Sequence, residues 1–545
     1  MATHQVRTRP PRSNSTEPAE TTSHPDDLSD YLADAAHYPG GHAPAVGFPR
    51  NEAQLASLIQ NNAAVLPVGA QSSLTGGATP MGELVLSLSK LIAIAEPRTK
   101  QVTVQPGVTL TRLKNTLTAA GKSYPPVPTY EGATVGGIVS TNAAGAATFK
   151  YGTTRDWVEG LSVMLACGEL LDLERGQVRA KNGHFEIEKS DGTVTVPVPT
   201  YRLPAVPKHS AGYHTGPDMD LVDLFVGSEG TLGVVTSVTL NVLPRRLENC
   251  FFLISVEHES QALRVASRLR EISLQTRRDG DPDGLDVVAI EHLDRRCLEL
   301  LREDGADRRQ HVSVSESASA VLLVQIELPS GTDSNHIHEQ VAQSASAQAA
   351  DGPITRLCHL LEYEDLLDNT EMATPGQHTR ATELLSFREA VPESVNRRIR
   401  IAKNTVDNTI NKTAADMVVP FCNLSESLHL FRSAFESRHL DYAIWGHLSD
   451  ANLHPNVIPK TAAEMQLGKD AILECGQEII KLGGSPLAEH GVGRNPLKQT
   501  LLRLLYGDAG LAQMRAVKRA LDPDSKLAPG VLFAAESEPP PETPL

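Results

Sequence analysis

The sequence predicts an α+β protein in two parts, and three observations predict it. Short strand patterns alternate with amphipathic helical patterns along most of the chain. The first half is punctuated by glycine-rich turns, which suit close approach of backbone to backbone or to a ligand. Near residue 246 the pattern changes to a strand–helix–strand alternation with few glycines, which marks a second domain.

Taken in order, residues 1–25 (MATHQVRTRPPRSNSTEPAETTSHP) are rich in Pro, Ser and Thr and lack a hydrophobic segment. That composition predicts a disordered tail and argues against a secretory signal. From about residue 26 the chain reads as folded. NEAQLASLIQNNAA is an amphipathic helix, and VLPVG is a strand entering a loop. ELVLSLSKL and QVTVQPGV read as strands, and LTRLKNTLTAAG as a helix with a glycine stop. LSVMLACGELLDL reads as a hairpin with Cys167-Gly168 near its turn. A glycine loop followed by a strand, DLFVGSEGTLGVVTSVTLNVLP, closes this first part at about residue 245. The second part, 246–515, opens on strand-like FFLISV and helical ESQALRVASRLREISL. It continues with strand DVVAIEHL, helix RRCLELLRE, strand AVLLVQIEL and helix HIHEQVAQSASAQAA. The last eleven residues, AESEPPPETPL, read as a second disordered tail.

Composition excludes several function classes. The 40% hydrophobic and 21% charged content is that of a soluble globular protein. A net charge of −16 with 4% aromatic residues argues against nucleic-acid binding. No apolar run approaches the roughly 20 residues that a membrane-crossing helix needs. The six cysteines form no CxxC pair, so a built-in iron–sulfur cluster or zinc finger is not expected. Their scatter suits reduced thiols and a cytoplasmic location.

PVGAQSSLTGG (Pro67 to Gly77) follows a strand. Its small residues let backbone amides approach an anion, with Ser72, Ser73 and Thr75 as extra donors, but a plain glycine turn fits equally. It is neither GxGxxG nor GxxxxGK[ST], so no Rossmann or P-loop site follows. ATVGGIVSTNAAGA, KYGTTRDWVEGL and VGSEGTLGVVT come next in that order. Together these stretches resemble the two-part FAD-binding domain of the vanillyl-alcohol-oxidase-type (PCMH-type) flavoproteins over about residues 26–245. The likeness resumes at LDPDSKLAPGVLF, so that residues 516–534 are expected to pack back on the FAD domain. The resemblance implies an FAD held by Gly69, Gln71, Ser72, Ser73 and Leu74 at the pyrophosphate. It also implies contacts from Thr134, Gly136, Gly137, Asn142 and Gly145, and from Glu229, Gly233 and Val234. The family often has more glycine where this chain has Ala70 and Gln71, and Asn-Pro-Gly where it has Ala528-Pro529-Gly530. No histidine in these motifs is a candidate for covalent attachment, so the FAD is expected to be non-covalent.

WGHLSDANLHPNV carries His447 and His454, seven positions apart. On a helix that spacing is about 10 Å of rise, too far for one metal ion. Gly446, Asp450, Asn452 and Pro455 disfavour a helix, and a strand end folding into a loop brings the rings together. AEHGVGRNP adds Glu489 and His490. Two histidines and a carboxylate can hold a divalent ion, although the spacing matches no standard zinc signature and an ordinary polar loop also fits.

GHLSDANLH and AEHGVG resemble the GHxGDGNLH and EHGxG motifs of the FAD-linked D-2-hydroxyacid dehydrogenases, the D-lactate dehydrogenase and glycolate oxidase large-subunit group. The resemblance implies His447, His454 and Glu489 as ligands of zinc, or of manganese, iron or cobalt. It implies His490 as catalytic base and Asn452 as a substrate contact. Ser449 and Ala451 stand where glycines are usual. SFREAVPESVN resembles the stretch that supplies a carboxylate-binding arginine, here Arg388, whose fork suits bidentate binding. A surface ion pair of Arg388 with Glu383, Glu389 or Glu393 is the competing reading. Lys412 is a weaker substrate candidate.

The implied reaction is oxidation of D-lactate, glycolate or D-2-hydroxyglutarate to the 2-oxo acid by hydride transfer to flavin N5. Its electrons would pass to a quinone, a cytochrome, an electron-transfer flavoprotein or O2, with any iron–sulfur relay on a partner subunit. Two alternatives stay open: an alkyl-dihydroxyacetonephosphate-synthase-like FAD enzyme, and a non-catalytic FAD-binding subunit of a larger oxidase.

Overall fold

The computed structural model describes residues 3–12, 17–126, 128, 130–244, 248–329, 331–344 and 351–534. The chain divides into two compact units. One holds the chain up to Gly145, Gly152–Arg245 and everything from Ser485 onward; the other holds Ala146–Tyr151 and Arg246–Gly484.

In the first unit the strands Glu20–Thr22, Val46–Phe48, Leu84–Ser87 and Val65–Val68 lie side by side in that order. The last three pair in parallel. The helix Glu52–Asn61 starts where the Asn51 side chain accepts from the Gln54 amide, which satisfies one of its orphan donors. Its Leu55 and Ile59 pack with Val65, Leu84 and Leu86 in one core cluster. A second, antiparallel sheet runs Gln101–Val104, Val234–Asn241, Val158–Met164, Leu170–Glu174. The strand that follows the GSEGTLG loop is therefore internal to this sheet, and the loop is anchored at its root. The expected hairpin is present, with Gly168 in its turn at φ 86°.

The segment 1–25 departs from the expectation of disorder. Gln5–Arg7 pairs in parallel with the strand His184–Lys189, and Glu20–Thr22 pairs with Val46–Phe48. Adding a strand to a sheet edge uses backbone hydrogen bonds and requires no apolar side chain, so composition does not register it. Arg9 strengthens the attachment through ion pairs to Glu52 at 2.7 Å and Asp172 at 2.5 Å. The expected tail 535–545 lies outside the described residues.

The return to the first unit also differs: it begins at Ser485, not at 516. The Ser210 amide donates to the Leu487 carbonyl, and the amides of Val492 and Gly493 donate to Glu229. The long helix Pro496–Leu521, broken at Gly507, follows. Buried Lys518 at its end donates to the carbonyls of Thr231 and Leu527 and to Asp522, and Leu527 bridges to Val65. One ammonium thus ties the C-terminal segment to the GSEGTLG loop. The EHGVG motif, expected in the second domain, belongs to the first unit.

The second unit is built on an eight-stranded sheet, with Thr370–Ala373, Glu248–Val256, Ala320–Leu328, Asp286–Asp294, Tyr442–His447, Asn452–Val457 and Thr413–Ala414 in spatial order. Met417–Val418 pairs with the same edge. Adjacent strands in this sheet are antiparallel. Side chains alternate between faces, so Leu253, Leu323 and Leu293 share one face. That face is covered by the helices Arg295–Glu303 and His378–Thr405, through Leu298, Leu301, Leu384, Phe387 and Val391. Helix HIHEQVAQSASAQAA is realised as Ser334–Gln343, and residues 345–350 lie outside the described part.

Candidate active site

In the second unit, WGHLSDANLHPNV folds as a β-hairpin. His447 ends one strand opposite Asn452, and Trp445 stands opposite His454. Because facing residues and residues two apart share a side, His447, Asn452 and His454 project from the same face. The two imidazole centroids are 5.2 Å apart with planes at 89°. Gly446 makes the pairing possible: a Cβ there would lie 2.4 Å from the Asn452 carbonyl oxygen.

Across the next strand pair, Glu291 stands in register with His447. Its Oε1 lies 2.5 Å from His447 Nδ1, and its Oε2 accepts from Arg388 Nε at 2.6 Å. All three side chains are buried. Burial pushes the Glu291 carboxyl up, but the Arg388 guanidinium and His447 outweigh it and hold it well below the usual carboxylate range. An ionised carboxylate only accepts, so Nδ1 of His447 carries a proton toward it. Asp416 lies between the short strands Thr413–Ala414 and Met417–Val418 and faces the other histidine. Its Oδ1 accepts from Asn452 Nδ2 at 2.9 Å and stands 3.4 Å from His454 Nδ1. The Asn452 Oδ1 is buried without a hydrogen-bond partner. Arg388 lies four residues before Pro392 in the helix His378–Thr405. A proline has no N–H, so the carbonyl of Arg388 loses its helical donor there. The ion pairs weighed for Arg388 with Glu383, Glu389 and Glu393 give way to the buried one with Glu291. Lys412 is exposed just before the strand Thr413–Ala414.

In the first unit a cavity is lined by the segment 67–74, by residues between Ala133 and Ala144 at and around the helix Val135–Ser140, by Glu229, Gly230 and Gly233–Val235, and by Glu489 and His490. Of the residues expected to hold FAD, all but Asn142 and Gly145 line it. Asn142 instead accepts from the Arg155 amide, which shapes the turn behind the cavity. The donor set fits a dinucleotide pyrophosphate. Among the described residues, the amides of Ala70, Gln71, Ser72, Ser73 and Leu74 make no hydrogen bond, and carbonyls of this loop are held from behind by Ala35 and Ala36. At the helix Val135–Ser140 the first amides are already spent on Val108, Pro106 and Thr134. Unsatisfied donors in a glycine-rich loop form an anion cradle.

His490 sits on this cavity with about a third of its side chain exposed, its Nε2 3.7 Å from Glu489 Oε1. Lys208, wholly buried, donates to Glu489 Oε2 at 2.9 Å. The loop after His490 is fixed by Gly491 N to Ser210 Oγ and by Val492 N and Gly493 N to the Glu229 carboxylate, each at 2.8 Å. Burial pushes the Glu229 carboxyl up to about 7, against those two amides. Glu229 is thus a wall of the FAD cavity and also the anchor of the His490 loop.

Three departures from the usual motifs fall at one kind of backbone position. Gln71, Ala451 and Ala528 have φ of 50°, 59° and 44°. This left-handed region costs an ordinary residue about 1–2 kcal/mol, which glycine avoids. Gln71 has a visible compensation, because its side-chain amide donates to the carbonyls of Tyr31 and Ala78. At the hairpin turn, Ser449 Oγ accepts from Ile290 N. Arg270, packed over the rings of Phe149 and Phe421, donates to the Ser449 carbonyl. The turn that joins the two histidine strands is thereby held despite Ala451. Sequence reasoning missed Glu291, Asp416 and Lys208. Glu291 carried one signal: a carboxylate in DVVAIEHLD at a position that the alternation assigns to the core face.

A flavin-holding fold with a histidine and carboxylate on its cavity wall defines a class, the FAD-dependent oxidoreductases. The comparisons give the family. Residues 43–174 match the FAD binding domain, and residues 274–532 match the FAD linked oxidases, C-terminal domain. The chain belongs to this FAD-linked oxidoreductase family. It is 26% identical over 504 residues to the glycolate oxidase subunit GlcD of Bacillus subtilis, covering 90% of this chain and 89% of that protein. It is 28% identical over 484 residues to a D-2-hydroxyglutarate dehydrogenase of Xanthomonas citri, covering 87% and 85%. Its fold is that of the 4-ethylphenol oxidase of Gulosibacter chungangensis, with a TM-score of 0.61 at 14% identity over 94% of each chain. Among the described residues no helix is long and apolar enough to cross a membrane.

Proposed function

We propose that the protein oxidises a D-2-hydroxy acid of the glycolate, D-lactate or D-2-hydroxyglutarate class to the 2-oxo acid, with non-covalent FAD and a divalent metal ion. The observation that carries this reading is His490: a histidine on the wall of the FAD cavity, in a loop pinned by Glu229 and Ser210. The relatives named for glycolate and 2-hydroxyglutarate support the substrate class.

When bound, FAD supplies the hydride acceptor, and the metal supplies Lewis acidity toward a hydroxyl oxygen. Among this chain's residues, Arg388 binds the substrate carboxylate. Its Nε is engaged by Glu291, which leaves the terminal guanidinium nitrogens to form the fork. His490 takes the C2 hydroxyl proton on a ring nitrogen as the C2 hydride departs. A neutral imidazole within reach of the reacting hydroxyl is a suitable general base for that step. His447 and His454 hold the metal, and their fit rests on the carboxylates behind Nδ1. Glu489, whose Oε2 accepts from Lys208, is the third ligand. Asn452, with its unpartnered Oδ1, contacts the substrate. Reoxidation needs an external acceptor: a quinone, a cytochrome, an electron-transfer flavoprotein or O2.

Metal removal tests the metal part of this reading. Dialysis against a strong chelator is expected to lower flavin reduction by a D-2-hydroxy acid at least 100-fold, and zinc, manganese or cobalt is expected to restore it, because a Lewis acid contributes several kcal/mol to such a step. Full activity in chelated protein shown to be free of metal would remove the ion from the account.

A further inference from the structure

Glu291 is the feature of the second unit that the roles above leave unexplained. Its carboxylate is buried and divides its two oxygens between two residues of different function. Those residues come from separate elements: His447 from the hairpin, and Arg388 from the helix His378–Thr405. A carboxylate is buried without loss only when its partners are well placed, so one held between His447 and Arg388 at this position calls for a reason.

We infer that Glu291 is a shared positioning residue: one oxygen fixes the His447 tautomer and ring for metal ligation, and the other orients the Arg388 guanidinium for a substrate carboxylate. The inference deepens the proposed function and rests on it. On the His447 side, the carboxylate at Nδ1 fixes the ring orientation and holds the Nδ1 proton, so that Nε2 is the nitrogen turned toward a metal ion, the arrangement found behind metal-binding histidines. On the Arg388 side, occupation of Nε by Oε2 at 2.6 Å fixes the plane and rotation of the guanidinium while its terminal nitrogens stay available. Both sites are therefore set by one rigid group on the strand Asp286–Asp294, in register with His447. Asp416 stands 3.4 Å from His454 Nδ1 with the same oxygen that accepts from Asn452 Nδ2.

Glu291→Gln tests this, because the arithmetic of donors is decisive. A glutamine has one acceptor oxygen and one NH2. It can accept from His447 Nδ1 or from Arg388 Nε, not from both, and its NH2 then faces the other donor. FAD-loaded protein, stripped of metal, is titrated with zinc against a chromophoric chelator. It is separately titrated with pyruvate, read as a perturbation of the flavin absorbance, still without metal. Glu291→Gln is expected to weaken zinc about 10- to 100-fold and pyruvate at least tenfold. Arg388→Met is expected to weaken pyruvate alone, and His447→Ala zinc alone. Glu291→Asp keeps both acceptor oxygens one methylene shorter and is expected to show the same paired loss at about three- to tenfold each; it serves if the glutamine variant does not fold. Zinc and pyruvate affinities both within twofold of the parent protein, in either variant, overturn the shared role, and so does loss of only one of them. Parent protein that binds neither zinc nor pyruvate contradicts the proposed function itself, a different result from a silent Glu291 variant.

Discussion

Replacing His490 with alanine is expected to lower the rate of flavin reduction by a D-2-hydroxy acid about 10²- to 10⁴-fold, with FAD and metal still bound. The size follows from removing a general base placed at the reacting proton. Retention of the cofactors follows from what holds the loop. Its backbone is fixed by Glu229 and Ser210 through the amides of Gly491, Val492 and Gly493, none of which uses the imidazole. Stopped-flow reduction, together with the FAD-to-protein absorbance ratio, separates the two. His490→Ala protein that keeps FAD and near-parental turnover would sink the assignment of His490 as base.

Arg388 carries the second large effect. Arg388→Met is expected to lower kcat/KM about 30- to 1000-fold, equivalent to about 2–4 kcal/mol of lost charge-assisted binding. The same change also leaves the Glu291 carboxylate buried beside a histidine alone. Unpairing a buried charge costs about 3–5 kcal/mol, so a clear fall in the thermal midpoint accompanies the kinetic loss. Arg388→Lys separates the two effects. A lysine keeps the positive charge near Glu291 and recovers stability, but lacks the planar fork and leaves most of the kinetic loss in place. Arg388→Lys with restored kcat/KM would show that charge alone suffices and that the fork is not used.

How much of this was legible in the sequence depended on how local each contact is. The hairpin that carries His447, Asn452 and His454 could be read from the residues that disfavour a helix and from Gly446. The strand parity that places all three on one face then follows from a period of two. The loop Pro67 to Gly77 alone fits a plain glycine turn equally, and its reading as an FAD cradle rested on the order of the motifs that follow it. Glu291 could not be paired with its partners, since it meets residues 97 and 156 positions away and no spacing encodes that. Only its place on a core-facing position hinted at a role. Lys208 left no local sign of its contact with Glu489. The two boundary errors share a cause. Composition reports whether a segment can bury apolar surface, but the strand at Gln5–Arg7 attaches through backbone bonds and Arg9. The placement of EHGVG in the first unit rests on single hydrogen bonds to Ser210 and Glu229, far upstream. The left-handed backbone at Gln71, Ala451 and Ala528 falls at three of the five positions where the motifs depart from glycine or asparagine; Ala70 and Ser449 are the other two.

The central claim is that the bound flavin is reduced by a D-2-hydroxy acid. Anaerobic mixing of the FAD-loaded, metal-replete protein with glycolate, and with the D- and L-enantiomers of lactate and 2-hydroxyglutarate, tests it most directly through loss of the flavin absorbance band. Full bleaching by at least one of glycolate, D-lactate or D-2-hydroxyglutarate, with no comparable bleaching by the L-enantiomers, is the predicted result. A flavin that stays oxidised with every one of these acids, or that is reduced by the L-enantiomers instead, would contradict it.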